Sequence, residues 1–224
     1  MTFAQRRVAV AALKAVLDAL LASGVDAESQ EGATLRQLCG ALSADAVGQV
    51  QASTFGPPLH ACFAAATAAG ATFAGMDGVR QEAQAVTTAD LPVQRVAQIA
   101  ARLALSEMVN ILAATAFTSR QDVDAALARV NIAFAPAEDF AAGRFDNVAW
   151  RRLTALHAAC VRDLTARARP LPRVVAYAFS TRMPLLTLAN RLFGDAGRAE
   201  QLLAENRDTV HPLFMPASGN AFSG

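Results

Sequence analysis

RVVAYAFSTRMPLLTLANRLFGDAGRAEQLLAENRDTVHPLFMPASGNAF, running from Arg173 to Phe222, is the stretch from which the fold is read. Val174 to Phe179 is a short β-type run, because paired valines and aromatic residues suit a half-buried pleated surface. Pro184 opens a helix at the first helical position, where its missing N–H costs nothing. Leu185, Leu188, Ala189 and Leu192 follow at helical spacing, and Gly194 stands where a glycine ends a helix. Asp195 is placed to cap a second helix, whose inward positions are Ala199, Leu202 and Leu203 and which runs out at Asn206. His211-Pro212 breaks the chain. Leu213 to Met215 and a last extended piece are expected to return beside the first strand. The unit reads strand, helix, tight Gly-Asp turn, helix, strand.

A short helix, an aromatic residue followed by Gly-Asp, a second helix ending in Glu-Asn and a proline-bearing return resemble a LysM module. The stretch LPRVVAY…MPLLTLANRLFGDAGRAEQLLAENR…HPLFMP is also similar to the C-terminal end of the DNA circularisation proteins of Mu-like contractile-tailed phages. The positions that carry this resemblance are Arg191, Leu192, Gly194, Asp195, Arg198, Asn206, Arg207, His211, Pro212, Phe214 and Pro216. Phe193 stands where tyrosine is usual, and Ala217-Ser218 where Gly-Gly is common. Members are usually longer and carry a β-rich N-terminal region, so this chain is expected to match only a part of one. The resemblance implies a virion tail component near the baseplate, assembled in the host bacterial cytoplasm and multimeric in the particle. It also implies two alternatives: a DNA-binding protein that circularises injected DNA, and a peptidoglycan-binding LysM module. Glycan binders carry a small Gly-Asp-Thr type sequence in the first loop, whereas Ser180-Thr181-Arg182-Met183 holds a bulky cation. The connector role is therefore favoured over glycan binding. In it Gly194 and Asp195 fix the turn, and Asn206 bonds the backbone after the second helix.

Working outward, the whole chain of 224 residues is long enough to bury a core. Hydrophobic residues make up 54% and aromatics only 6%, with alanine dominant, which favours close-packed helices over sheets. The expected class is mainly α: a helical bundle over residues 1–169, then a small α+β LysM-like βααβ module over 170–224. Cys39, Cys62 and Cys160 lie far apart without metal-ligand spacing and read as buried reduced thiols.

Near the N-terminus, Phe3, Val10, Leu13, Val16, Leu17, Leu20 and Leu21 mark an amphipathic helix, interrupted by Lys14 and Asp18 and so unlike a leader. Residues 25–32 are expected as an acidic loop. Thr34 then caps a helix carrying Leu35, Leu38, Leu42 and Val47. From Ala46 to Met76 no charged residue occurs. Pro57-Pro58 split this run and leave LHACFAAATAAGATFAGM as one uncharged helix. Its alanine, glycine and threonine gain little from lipid, and it is short for a bilayer, so a buried helix is expected instead of a membrane span. His60, near its start, reads as a hydrogen-bonded structural histidine, and 77–89 as a connector.

Asp90 and Pro92 start a helix that continues through Val93, Val96, Ile99, Leu103 and Leu112 to about Phe117. Ser119 caps the next, with Val123, Ala126, Leu127 and Val130 inward, and Pro136 is expected to end it. Asp146 or Asn147 caps a last long helix over about 148–169. Trp150, Leu153, Leu156, Cys160 and Leu164 form its stripe, and His157 reads as a core histidine. Arg151, Arg162 and Arg169 share the opposite face. Between Arg144 and Arg182 there are eight arginines against Asp146 and Asp163, whereas Asp18 to Asp45 holds five acids and only Arg36. Arg151, Arg162, Arg169 and Arg182 are thus the candidate face for a partner or for phosphates. Motifs for a nucleophile elbow, a phosphate loop, a dinucleotide fold or a zinc protease are missing, so no catalytic residue, metal or cofactor is expected.

Overall fold

The structure, a computed structural model, describes residues 1–86 and 88–223. Thr87, inside the expected 77–89 connector, and Gly224, the end of the expected module, lie outside the described residues. The fold is mainly α, with ten α-helices among the described residues and one two-stranded antiparallel sheet near the C-terminus. The chain divides into two compact units, Met1–Thr115 with Arg129–Val161, and Ala116–Ala128 with Arg162–Gly224. The second unit thus takes in helical segments N-terminal to the expected boundary at 169.

In the first unit, Thr2 starts α1 (Phe3–Leu21) with a capping box. Its hydroxyl accepts from the Gln5 N–H at 3.2 Å, and Gln5 Oε1 accepts from the Thr2 N–H at 2.9 Å. Ala9, Ala12, Leu13, Val16, Leu17 and Leu20 form the buried face. Phe3, expected on it, is 77% exposed, and Leu21 is also exposed. At about 100° per residue both lie on the flank of the stripe, because Ala9 and Ala12 pull its centre the other way.

Ser29, not Thr34, caps α2 (Gln30–Ala44), accepting from the Gly32 N–H at 2.9 Å. Thr34 lies within the helix and donates to Gln30 O at 3.0 Å. Gly32 allows this early start, since a Cβ there would stand 2.1 Å from the Asp26 carbonyl oxygen. The expected acidic loop is shortened accordingly. A separate helix, α3 (Ala46–Ala52), follows, and Val47 is exposed there instead of continuing the α2 stripe.

The stretch expected as one uncharged helix is divided between α4 (Gly56–Ala68) and the first turn of α5 (Phe73–Ala85), which continues into charged sequence. Gly70 turns the chain at φ +87°, and Thr72 Oγ1 caps α5 by accepting from the Gly75 N–H at 3.0 Å. Each helix has 13 residues, so neither is long enough to cross a bilayer. α5 also occupies most of the expected connector. His60 is exposed on α4, contrary to its reading as a structural histidine.

α6 (Leu91–Ala114) packs against α1, α4 and α5. By length and composition it is the one helix among the described residues apolar enough to cross a membrane, and half of its apolar window is buried in the fold. Glu107, only 5% exposed, accepts from the Thr67 hydroxyl at 2.8 Å and the Asn110 amide at 3.1 Å. Those two donors replace the water that burial removes from the carboxylate.

Ser119 and Asp122 form the start of α7 (Arg120–Gly143), as expected for a Ser cap. Pro136 does not end the helix. It sits on the exposed side, where water can reach the carbonyl left without its N–H partner, while Ala133, Phe134 and Ala137 are buried around it. Asp146 caps α8 (Asn147–Ala168) by accepting from the Ala149 N–H at 3.0 Å. Ala149, Leu153, Cys160 and Leu164 are buried on it, but Trp150 is 42% exposed and leaves the expected stripe.

His157 is half-buried and bridged rather than enclosed. Its ring stacks on Phe134 at 4.6 Å, with Nδ1 3.1 Å from Glu138 Oε1 and Nε2 2.9 Å from Asn131 Oδ1. The three cysteines are buried and outside any disulfide. The thiols of Cys39 on α2 and Cys62 on α4 share a hydrogen bond, which together with burial pushes the Cys39 thiol up.

The second unit ends in the βααβ order read from the sequence. β1 (Val174–Ala178) leads to α9 (Leu185–Phe193), a 3₁₀ turn (Ala196–Arg198), α10 (Ala199–Ala204), a second 3₁₀ turn (Pro212–Phe214) and β2 (Ser218–Phe222). The strands pair antiparallel, with Val174 opposite Phe222 and Tyr177 opposite Gly219. Tyr177, Leu188, Ala189, Ala199, Leu202, Met215 and Ala221 make its core.

Candidate functional site

The residues that carry the sequence resemblance shape this C-terminal module. Gly194 ends α9 in the left-handed region at φ +70°, donating its N–H to Asn190 O at 2.9 Å. Asp195 turns the chain by accepting from the Gly197 N–H at 2.7 Å. Leu192 packs half-buried against the core. Arg198 lies over the Phe193 ring at 4.0 Å and bonds Gln201 at 2.8 Å, while Arg191 lies over Phe179 at 4.8 Å. Both guanidiniums therefore cover aromatic faces with part of their charge still in water.

Asn206 does more than the sequence suggested. Its side-chain amide donates to Asn220 O at 2.7 Å and Leu202 O at 2.8 Å, and accepts from the Asn220 N–H at 2.9 Å. It reaches across to β2, fourteen residues on, and does not simply close the loop after its own helix. Only a glycine at 219 permits this approach, since a Cβ there would lie 2.1 Å from Asn206 Oδ1. His211 Nδ1 accepts from the Leu213 N–H at 3.1 Å, and Pro212 follows at the start of the 3₁₀ turn. The Pro216 carbonyl accepts from the Tyr177 hydroxyl at 3.4 Å. Arg207 is exposed. Met215 is fully buried, whereas Phe214 is 66% exposed.

Beside these residues runs a cavity of about 610 Å³, lined among others by Arg182, Asn206, Val210, His211, Phe214 and Asn220. Val210 is wholly exposed and Leu213 is exposed as well, so the return loop presents three apolar side chains to solvent. Arg182 and Arg207 line the cavity together with Glu205 and Asp208, and a surface that mixes exposed apolar side chains with charges of both signs suits protein contacts better than chemistry. Among the described residues no three His, Cys, Asp or Glu side chains gather as a metal site.

The four arginines of the candidate face are all exposed. Arg162, Arg169 and Arg182 belong to the second unit, and Arg151 to the first. The sequence reading missed Arg120 and Gln121. Arg120 donates to Leu171 O and Arg169 O, both at 2.8 Å, and so holds the stretch between α8 and β1. Gln121 bonds both backbone groups of Val174, each at 2.9 Å. Nothing local in the sequence marks either, because both partners lie some fifty positions away.

Two carboxyls of this unit titrate away from their ordinary values. Burial pushes Asp122 up, but hydrogen bonds from Ser119 and Thr118 outweigh it and hold the group below the usual range. Burial lifts Glu205, Asp122 adds to the lift, and Arg207 opposes it. A raised carboxyl adds stability below its unfolded pKa and loses that contribution as pH rises through the folded value. Glu205→Gln is therefore expected to raise the melting temperature at about pH 7, with the gain fading toward about pH 4. Circular-dichroism melts across that range check it, and an unchanged or lowered melting temperature at neutral pH would contradict it.

No protein-family model matches the chain. No curated protein matches it either.

Proposed function

We propose that the protein is a structural component of a contractile phage tail or tail-like particle, at or near the baseplate. It acts through protein–protein contacts and performs no catalysis. The observation that carries this reading is the division of labour in the C-terminal module. Leu192, Gly194, Asp195, Asn206 and His211 go into turns, caps and the core, while Phe214, also a residue of the resemblance, stands in solvent with Val210 and Leu213 beside the cavity edged by Arg182. Contiguous exposed apolar side chains of this kind mark interaction surfaces. The site of action is the virion tail, after assembly in the host bacterial cytoplasm.

DNA binding is the second reading, favoured by the exposed Arg162, Arg169 and Arg182 of the same unit. Purified particles separate the two. Mass spectrometry is expected to find the chain at a fixed low ratio to the tail-tube protein. Absence from particles would overturn the structural role and bring DNA binding forward.

A further inference from the structure

Two of the three cysteines meet in space although they stand far apart in sequence. Cys39 lies on the inward face of α2 with Leu35 and Leu42, and Cys62 on that of α4 with Leu59, Phe63 and Ala66. The two helices pack on one another, and both pack on α1. Both cysteines are buried, and the hydrogen bond between their thiols sets one sulfur directly against the other. A buried cysteine serves a core as a small hydrophobe, and for that purpose its sulfur has no need to face a second one. Two thiols in contact across a helix interface have a chemistry beyond packing.

The pair is not symmetrical. The hydrogen bond that Cys39 donates favours a thiolate on Cys62 and outweighs the burial that opposes it. The same bond, burial and the carboxylate of Asp18 on α1 all oppose a thiolate on Cys39. The thiolate is the nucleophile, so Cys62 is the sulfur that reacts first and Cys39 the one that follows.

We infer that Cys39 and Cys62 are a modification site, converted by a peroxide into a reversible disulfide that ties α2 to α4. The Cys62 thiolate attacks one oxygen of hydrogen peroxide and the O–O bond breaks. The other oxygen leaves as hydroxide, takes up the proton lost from Cys62 and becomes water, and Cys62 is left as a sulfenic acid. The Cys39 sulfur then attacks the Cys62 sulfur and the S–O bond breaks. That oxygen leaves as a second water with the Cys39 proton. Two thiols are oxidised and one peroxide is reduced. A disulfide sets its sulfurs about 2.05 Å apart, so thiols already in contact have only a short gap to close. The bond closes residues 39–62 into a loop that contains α3 and the turn at Ser53, and so restrains the unfolded chain. A reducing cytoplasm keeps the pair as thiols, and oxidising surroundings convert it. The pair belongs to the first unit, whereas the docking reading rests on the C-terminal module, so either can fail alone.

For the test, the purified full chain is treated with hydrogen peroxide, denatured, alkylated with N-ethylmaleimide and digested with trypsin. One tryptic peptide, 37–80, carries both cysteines, since no lysine or arginine lies between Arg36 and Arg80. The expected product is that peptide without alkyl groups and lighter by two hydrogens, with Cys160 still alkylated. Dithiothreitol is expected to restore both labels, and the linked first unit to melt roughly 5–10 °C above the reduced one. Cys39→Ser keeps a hydroxyl donor beside Cys62 and removes the second sulfur, so a sulfenic acid should accumulate at Cys62 and be trapped by dimedone. In Cys62→Ser, Cys39 should react roughly tenfold more slowly. Equal rates, or a faster Cys39, would overturn the assigned order. Two alkylated thiols after peroxide, a link through Cys160 or between chains, sulfinic or sulfonic acid in place of the link, or a linked chain that does not melt higher would overturn the inference.

Discussion

Gly75→Ala is expected to cost at least about 3 kcal/mol, while Gly78→Ala, one turn along the same helix, is expected to gain about 0.5–1 kcal/mol. The two residues share a helix and differ in what faces them. A Cβ at Gly75 would stand 2.0 Å from the Ser23 carbonyl oxygen and 2.4 Å from its carbon, both backbone atoms. Ser23 has little room to retreat. It is buried, its hydroxyl donates to Leu20 O at 2.7 Å, and its carbonyl accepts from the Thr72 N–H at 3.0 Å. Adding one methyl must separate the end of α1 from the start of α5, and the buried Leu20 and Met76 lie within a turn of that contact. At Gly78 nothing lies within 4 Å of the added carbon, so alanine only reduces the freedom of the unfolded chain. Urea denaturation of both variants decides the matter. If the two differ by less than about 1 kcal/mol, the close approach is not a constraint. Gly32→Ala and Gly40→Ala repeat the contrast on α2, where only Gly32 faces backbone.

This contrast also explains where the sequence was readable. In an alanine-rich run such as 59–76, small residues stand on every face, so periodicity cannot place a helix end. The break between α4 and α5 depends on Gly70 at positive φ and on Thr72 meeting the end of α1, which is tertiary information. The choice of Ser29 over Thr34 as a cap is of the same kind. Both residues can cap, and Gly32 against Asp26 selects the first. Pro136 misled for a related reason. A proline on a solvated face costs less than the packing gained on the buried face, and the sequence does not say which face it occupies.

The C-terminal module was legible because its signals are local and dense. Proline, Gly-Asp and His-Pro each constrain backbone within a few residues, and each sits within one position of its expected place. The parts that were hidden there are long-range. Gln121 and Asn206 act on strands that are distant in sequence, and an amide facing a strand edge leaves no pattern in its own neighbourhood.

Asn206→Ala is expected to destabilise the C-terminal module by about 2–3 kcal/mol, the sum of three modest hydrogen bonds lost together. The three bonds tie the end of α10 to the middle of β2, at Leu202 O and at both backbone groups of Asn220. Water can hydrate the freed edge of β2, which keeps the loss below that of a buried orphan. It cannot restore the link between helix and strand. Gly219→Ala attacks the same junction from the other side, because its Cβ would stand 2.1 Å from Asn206 Oδ1 and 2.7 Å from the Tyr177 hydroxyl. The two effects should not add, since each variant already breaks the same contact. Hydrogen exchange at Gly219 and Ala221, whose N–H groups face β1, compared with Leu13 and Leu105 of the first unit, measures the loss. Faster exchange confined to the module is the expected result. Equal acceleration in both units would mean that the module does not unfold independently, and no change at Ala221 would mean that Asn206 is dispensable. If the module is the docking end of the protein, Asn206→Ala should also reduce incorporation into particles while leaving α1 to α6 folded. A variant that is incorporated normally despite the faster exchange would place the docking surface outside the module.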